Sequence, residues 1–274
     1  MCAGRLLRSP RGRKHTRVSC DEELEGTMDL HSNLEEIYWR MEKAVAPGLR
    51  GSQSIYEEVL NLYVKPGKKW LDLGCGHHVL PEWRGDQERE LVDRCGQVVG
   101  VDADVASLPK HRTIRNRVAA DIDNLPFAPG SFDLVSANMV VEHLDDPLLQ
   151  FQEVSRVLEK GGIFIFHTPH KLGYPTIGAM LLPRVIKGKL ISVLDGRPAE
   201  DVFPTFYRAN TRKTITSLAA DSGLEVVNLM LIVSSAVLML IPPLAFFELI
   251  LIRMLMSHKL APLRTHIIAV LRKQ

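Results

Sequence analysis

Residues 69–76, with the sequence Lys-Trp-Leu-Asp-Leu-Gly-Cys-Gly, constrain the fold more than any other stretch of the chain. The short apolar run predicts a strand, and Gly74 and Gly76 predict a tight turn directly after it. Because glycine has no Cβ atom, the backbone N–H groups of such a turn can approach a bound ligand closely. We therefore expect a ligand against this turn, although a Gly-x-Gly sequence by itself also occurs in ordinary tight turns.

The chain beyond this turn alternates between strands and helices. Apolar and β-branched runs predict further strands at 97–102, 118–121, 132–138, 163–167 and 224–233. Apolar residues at helical spacing predict helices at 33–45, 54–63, 86–95, 147–158 and 211–222. Such alternation predicts an α/β fold with a doubly wound parallel sheet, whose ligand site lies at the carboxyl ends of the strands.

Charge balance and cysteine content limit the classes of function. Lys and Arg number 34 against 32 Asp and Glu, so the chain lacks the overall positive field that non-specific nucleic-acid binding uses. Four scattered cysteines, without a Cys-x-x-Cys pair, favour a reduced, cytoplasmic compartment. Residues 1–30 start with a basic run that has no apolar signal core, which predicts a disordered tail; an organellar presequence or a tether to an anionic surface are alternatives. We expect one domain over 31–274.

A nicotinamide-dependent dehydrogenase is disfavoured by two observations. Its fingerprint Gly-x-Gly-x-x-Gly requires a third glycine where this chain has Val79. No tyrosine is followed by a lysine four residues later, so the Tyr-x-x-x-Lys dyad of many such enzymes is also missing. Hydride transfer is therefore not the expected chemistry.

Six motifs in order give the chain a closer resemblance. They lie at 70–76, 99–102, 121–127 (Asp-Ile-Asp-Asn-Leu-Pro-Phe), 131–135, 141–144 (Val-Glu-His-Leu) and 156–162. Together they resemble the class I S-adenosylmethionine-dependent methyltransferases of the type that acts on small molecules and in ubiquinone biosynthesis. The resemblance implies a Rossmann-like sheet of seven strands, with 265–273 as a last, antiparallel strand paired with the sixth.

The resemblance also implies a set of cofactor-binding residues for S-adenosylmethionine, namely Asp72, Gly74, Gly76, Asp102, Asp121, Ile122 and Asn138. Asp72 and the two glycines would surround the methionine part, and Asp102 would accept from the ribose hydroxyls. Asp121 with Ile122 would flank the adenine, and Asn138 would lie near the sulfonium. A carboxylate suits a pair of hydroxyls because it can accept from both, but Asp121 could instead cap a turn.

Transfer to a hydroxyl needs a base, and histidines near the strand ends are the candidates. The candidate catalytic residues are His143, His167 and Tyr207. A related Glu-His pair serves a metal in the ubiquinone O-methyltransferases, together with an acid upstream. Here the residue three positions before Glu142 is Met139, so we expect no metal.

Two additions to the domain bear on the methyl acceptor. Residues 168–210 are expected to cover it, and 179–194 combine apolar with basic residues. Residues 234–260 form an apolar insertion between the last two strands. The piece from Leu244 to Met256 would reach only about 20 Å as a helix, against a bilayer core of roughly 30 Å. We therefore expect an apolar hairpin lying in one leaflet, with a spanning helix, a dimer interface or an acceptor tunnel as alternatives.

These observations predict a methyltransferase at the cytoplasmic face of a membrane, acting at oxygen on an amphipathic small molecule, lipid or lipid-linked sugar. We expect the protein to contact a membrane surface and to bind no nucleic acid. A homodimer is one option for its oligomeric state. The alternatives are a non-catalytic, cofactor-binding partner protein and an RNA or protein methyltransferase. Against a nucleic-acid N-methylating enzyme, the strand at 132–138 ends in Asn-Met-Val-Val rather than in a Pro-Pro-aromatic motif.

Overall fold

The computed structural model describes residues 20–181 and 203–274, and for residues 20–32 it describes the backbone alone. One mixed sheet of seven strands has the order β3-β2-β1-β4-β5-β7-β6. The strands are β1 Lys69–Leu73, β2 Gln97–Asp102, β3 Asn116–Ala119, β4 Phe132–Asn138, β5 Leu158–Pro169, β6 Leu224–Ile232 and β7 His266–Lys273. The α-helices of the described ranges are α1 Cys20–Val45, α2 Ser52–Tyr63, α3 Gly85–Cys95, α4 Pro147–Val157, α5 Tyr174–Leu181, α6 Arg212–Asp221 and α7 Pro242–Leu255.

The predicted fold class is confirmed. Strands β1 to β5 are parallel to one another, and β7 is antiparallel to both β5 and β6. Since β6 and β5 both run opposite to β7, β6 is parallel to the first five strands. The carboxyl ends of β1 to β6 therefore lie at one edge of the sheet, where a doubly wound fold places its ligand.

Several element boundaries differ from the sequence predictions. Helix α1 begins at Cys20 rather than at Asn33, and residues 1–19 of the predicted tail lie outside the described residues. Strand β3 ends at Ala119, two residues before Asp121.

Both faces of the sheet are covered, as parallel strands require. On one face, Leu71 and Leu73 of β1 pack in a core with Phe151 of α4 and Ile215 of α6. On the other face, Trp70 packs in a second core with residues of α2 and α3. Successive side chains of β1 therefore point to opposite cores, which places Asp72 on the same face as Trp70.

The apolar insertion forms a loop and a single helix rather than the expected hairpin of two apolar arms. One face of α7 packs against α1, where Tyr38 is fully buried together with Ala245, Leu249 and Ile252. Within residues 20–181 and 203–274, no helix is both long and apolar enough to cross a membrane.

Candidate active site

The glycine turn after β1 is the centre of the site. Gly74 has a φ of 60° and Gly76 a φ of 48°, a region that side chains with a Cβ atom rarely occupy. A Cβ atom at Gly74 would lie 2.4 Å from Cγ2 of Val140, in the loop that follows β4. The Val140 side chain thus packs directly against Gly74, and any larger residue at position 74 would have to displace it.

Asp102, at the end of β2, organises the backbone beside this turn. Its Oδ2 accepts from the N–H of Gly76 at 2.8 Å, and its Oδ1 accepts from the N–H of Asp104 at 2.8 Å. Each carboxylate oxygen can accept a second hydrogen bond, so Asp102 retains acceptor capacity toward a ligand. The glycine turn and the acid predicted for the ribose are therefore one connected unit.

Asp72 is buried directly beneath the turn. Its Oδ1 accepts from Oγ of Ser136, and Ser136 Oγ in turn accepts from Nε1 of Trp70 at 2.7 Å. Burial raises the pKa of Asp72 to about 7, the hydrogen bond from Ser136 opposes this rise, and the nearby charges of Glu88 and Asp102 add to it. Asp72 can therefore exchange a proton near neutral pH.

A cavity of about 700 Å³ opens at the carboxyl edge of the sheet, within the usual range for small-molecule sites. Its walls include six predicted residues, which are Gly74, Gly76, Asp102, Asp121, Ile122 and His143. Four predicted residues do not line it, namely Asp72, Asn138, His167 and Tyr207. The structure thus gathers the glycine turn, two strand-end acids and one candidate base around a single space.

His143 belongs to a short 3-10 turn, Val141–His143, that follows β4. Its Nδ1 lies 2.7 Å from the carbonyl oxygen of Pro204, so Nδ1 carries the proton and donates it to that carbonyl. In the neutral imidazole Nε2 is then the unprotonated nitrogen, and it lies 3.9 Å from Oε1 of Glu142. The side chain is partly exposed, so a cavity-bound hydroxyl can approach it.

Asn138 and His167 form a separate buried network. His167 is fully buried, and its Nδ1 donates to Oδ1 of Asn138 at 2.9 Å. Asn138 Nδ2 donates to Oε1 of Gln53 on α2 at 3.0 Å, which ties this helix to the end of β4. Burial and the neighbouring His266 lower the pKa of His167 well below its ordinary value, so His167 is neutral at physiological pH. Its place in the core gives it no contact with the cavity.

Residues 203–206 form the outer wall of the cavity, and they belong to the stretch 168–210 predicted to cover the acceptor. The intervening residues 182–202, with most of the basic stretch 179–194, lie outside the described residues. Tyr207 has a φ of 51°, and its N–H donates to the carbonyl oxygen of Glu142 at 3.2 Å. Burial raises the pKa of the Tyr207 phenol, so the phenol keeps its proton at neutral pH.

Gln150, on α4, lines the cavity and was not identified from the sequence. Its side chain is buried, Nε2 donates to Oδ1 of Asp145 at 3.3 Å, and Oε1 has no hydrogen-bond partner within the described structure. A buried carbonyl oxygen without a donor is costly, so it favours a ligand that brings an N–H group. It lies on α4 between the motifs at 141–144 and 156–162, and neither motif includes it.

The long connection between β1 and α3 is held by a buried ion pair. Glu88 is fully buried and accepts from Arg112 at 2.5 Å, from Thr113 at 2.5 Å and from the N–H of Leu80 at 2.9 Å. Arg112 also donates to the carbonyl oxygen of Leu80 at 2.7 Å. No residue of this connection, 77–84, is among those that line the cavity, so its length shapes the surroundings of the site rather than its walls.

Comparisons with known proteins agree with this geometry. A family model described as "Methyltransferase domain" matches residues 71–166. Malonyl-[acyl-carrier protein] O-methyltransferase from Legionella pneumophila is 29% identical over 55% of this chain and 51% of its own length. Ubiquinone biosynthesis O-methyltransferase from Idiomarina loihiensis is 29% identical over 50% of this chain and 63% of its own length. The chain therefore spans less than two thirds of either relative.

A solved structure supports the fold. The S-adenosylmethionine-dependent methyltransferase from Mesorhizobium loti superposes with a TM-score of 0.52 at 17% identity, over 81% of this chain and 98% of that protein. The glycine turn and the two acids Asp102 and Asp121 of this chain lie within residues 71–166, the part that matches the methyltransferase domain family.

Proposed function

We propose that the protein transfers a methyl group from S-adenosylmethionine to an oxygen atom of an amphipathic small molecule, lipid or lipid-linked sugar. The observation that carries this proposal is the cavity itself, in which the glycine turn and Asp102 meet His143 and the wall 203–206. One side therefore offers groups suited to a nucleoside, and the other offers a base beside an apolar wall. The two relatives named above are O-methyltransferases by name, which supports oxygen as the acceptor atom.

The residues present fit the cofactor. Asp102 retains lone pairs for the ribose hydroxyls, and Ile122 supplies an apolar surface for the adenine next to Asp121. The orphaned Oε1 of Gln150 suits the exocyclic amino group of the adenine, which is a donor. Asp72 and Asn138 lie behind the turn and would act on the methionine part and the sulfonium by charge and dipole. When bound, S-adenosylmethionine supplies an electrophilic methyl group.

His143 is the proposed general base. With Nδ1–H held by the Pro204 carbonyl, Nε2 is free of a proton and can take one from an acceptor hydroxyl. The acceptor oxygen forms its bond to the methyl carbon as the methyl–sulfur bond breaks, and the hydroxyl proton passes to His143 Nε2. The rest of the acceleration comes from holding acceptor and donor in line, away from water.

We further propose that the protein works peripherally at the cytoplasmic face of a membrane. The support is the apolar insertion, whose helix α7 leaves large apolar side chains exposed, together with the amphipathic acceptor inferred above. A lipid-like acceptor is available in quantity only at such a surface.

Incubation of the protein with radiolabelled S-adenosylmethionine and a membrane extract tests the function. We expect a labelled product 14 Da heavier than its precursor, in line with an added CH2 unit. His143→Gln should lower kcat by about 100-fold or more while leaving the affinity for S-adenosylhomocysteine unchanged, because a general base acts only in the chemical step. Tyr207→Phe should change kcat much less. Cofactor binding without turnover on any extract would instead favour a non-catalytic binding protein.

A further inference from the structure

The outer face of α7 is an exposed apolar surface. We use this name for Leu244, Phe247, Leu251 and Met254, which are 46%, 68%, 38% and 55% exposed. Their spacing of three and four residues places them in one stripe along the helix. Apolar stripes of this size are rare on proteins that meet only water, so this surface is expected to have a partner.

The helix that carries this stripe is firmly held by the rest of the fold. At its middle, the buried Glu248 accepts from the N–H groups of Val237 and Leu238 at 2.9 and 2.8 Å, and from the Tyr174 hydroxyl at 2.5 Å. At its end, Arg264 donates to the carbonyl oxygens of Leu255 at 3.1 Å and Met256 at 2.9 Å. The stripe is thus presented by a fixed helix and needs no rearrangement to be exposed.

The exposed charges of the chain segment that carries the outer face have one sign. Residues 226–274 contain five Lys and Arg but a single acid, Glu248. That acid is buried and satisfied by the hydrogen bonds just described, whereas Arg253 and Lys259 are exposed within and just after α7. An apolar stripe flanked by exposed cations is complementary to a bilayer surface with anionic headgroups.

The same charges disfavour a second copy of the chain as the partner. In a twofold dimer the same patch meets itself, so Arg253 and Lys259 of the two copies would come together around the apolar contact. No exposed acid within 226–274 is there to compensate them. Like charges facing one another across an interface oppose association.

The position of α7 relates this surface to the cavity. The insertion leaves the sheet at the carboxyl end of β6, Ile232, and this end lies at the same edge as the carboxyl ends of β1 and β4. The cavity lies at that edge as well. A surface that contacts α7 is therefore on the side of the sheet from which the acceptor must come.

We propose that the outer face of α7 docks onto an anionic bilayer surface, so that the edge of the sheet with the cavity is held at the membrane where an amphipathic acceptor resides. This inference deepens the proposed function and rests on it for the identity of the acceptor. The helix lies in the plane of the interface, with Phe247 and Leu251 among the acyl chains and Arg253 and Lys259 at the headgroups.

Sedimentation with sucrose-loaded vesicles tests the docking. The wild-type protein should bind vesicles of phosphatidylcholine with 30% phosphatidylglycerol more tightly than vesicles of phosphatidylcholine alone. Phe247→Glu combined with Leu251→Glu should weaken binding by about 100-fold, since each buried apolar side chain contributes about tenfold. Arg253→Gln combined with Lys259→Gln should weaken binding to the anionic vesicles by about 25-fold, at about fivefold per charge.

Leu62→Glu is the matched control. Leu62 is 66% exposed, like Phe247, but it lies at the end of α2 that leads into the amino end of β1, at the opposite edge of the sheet. This variant should bind vesicles like the wild-type protein. If the wild-type protein did not bind vesicles, or if all variants lost vesicle binding equally, the proposal that this face docks would be overturned. Equal affinity for neutral and anionic vesicles would refute the role of the headgroups.

Two parallel measurements separate the possible failures. Light scattering should show that Phe247→Glu/Leu251→Glu has the same mass in solution as the wild-type protein; a wild-type dimer that this variant breaks would assign the face to a second copy and overturn the proposal. Calorimetry with S-adenosylhomocysteine should give the same affinity for all variants. Vesicle binding without any nucleoside binding would reject the proposed function, whereas nucleoside binding without vesicle binding would reject only the docking.

Discussion

Replacing Asp72 by Asn should stabilise the protein at neutral pH, although Asp72 belongs to the site. The carboxyl group is buried beneath the glycine turn, and the amide has the same shape and keeps an oxygen that accepts from Ser136. What the substitution removes is the ionised form, which burial and the charges of Glu88 and Asp102 disfavour. The variant no longer has to bury a charge when it folds.

The magnitude follows from the pKa, which rises from its ordinary value of 3.8 to about 7 in the folded protein. Because the folded state holds the proton more strongly than the unfolded chain, the wild-type protein loses stability as pH rises from 4 to 7. At about 1.4 kcal/mol per pKa unit, we expect the variant to be more stable by about 2 kcal/mol at pH 5.5 and about 4 kcal/mol at pH 8. The gain should level off above pH 7.

Urea unfolding of the protein without cofactor at pH 5.5 and pH 8 measures this difference in stability. Subtracting the wild-type free energy of unfolding removes the contribution of every group that titrates in the same way in both proteins. Asp133→Asn is a control of opposite sign. Burial alone would raise the pKa of Asp133, but the ammonium of Lys68 and the N–H of Lys69 outweigh it and lower the pKa. This control should be destabilised equally at pH 5.5 and pH 8. An Asp72→Asn variant that is less stable than wild type at pH 8, or whose difference is independent of pH, would refute the reasoning.

Three further substitutions test the site and its support. Gly74→Ala should weaken S-adenosylhomocysteine binding by about tenfold or more in calorimetry, because the new Cβ meets Val140 and the backbone leaves its favoured region. Gln150→Leu should weaken binding of the same ligand by about fivefold to tenfold but leave binding of S-inosylhomocysteine, whose purine has no exocyclic amino group, unaffected. Arg112→Met should lower the free energy of unfolding by about 3–5 kcal/mol, since Glu88 stays buried without its cation, and adding Glu88→Gln should restore part of it.

The central strands could be predicted because their pattern is local. Strands β2 and β4 run over 97–102 and 132–138 as expected, since β2 is a continuous apolar run between polar residues and β4 is apolar at most of its positions. Strand β5 is longer than the predicted 163–167, because it already begins at Leu158 and runs through Gly161 and Gly162. Strand β3, at the edge of the sheet, is displaced by two residues, and its half-exposed side chains explain the weak signal.

Part of the candidate site could also be predicted from the sequence, as the central strands could. The glycines, Asp102 and Asp121 could be found because each follows a strand whose end faces the cavity. His143 and His167 looked alike in sequence, since both lie near a strand end. Only the neighbours distinguish them, because His167 lies in β5 between β4 and β7 and is stacked beneath Tyr56 of α2.

The order of residues alone determined the α/β class, the glycine turn and the strand-end acids, because these depend on residues that are neighbours along the chain. The tertiary structure decided which histidine reaches the cavity, how Gln53 and Gln150 join the site, and which side of α7 remains exposed. Each of these outcomes depends on packing between segments far apart in the chain, such as α1 against α7, and burial sets both the charge state of Asp72 and the access to His143.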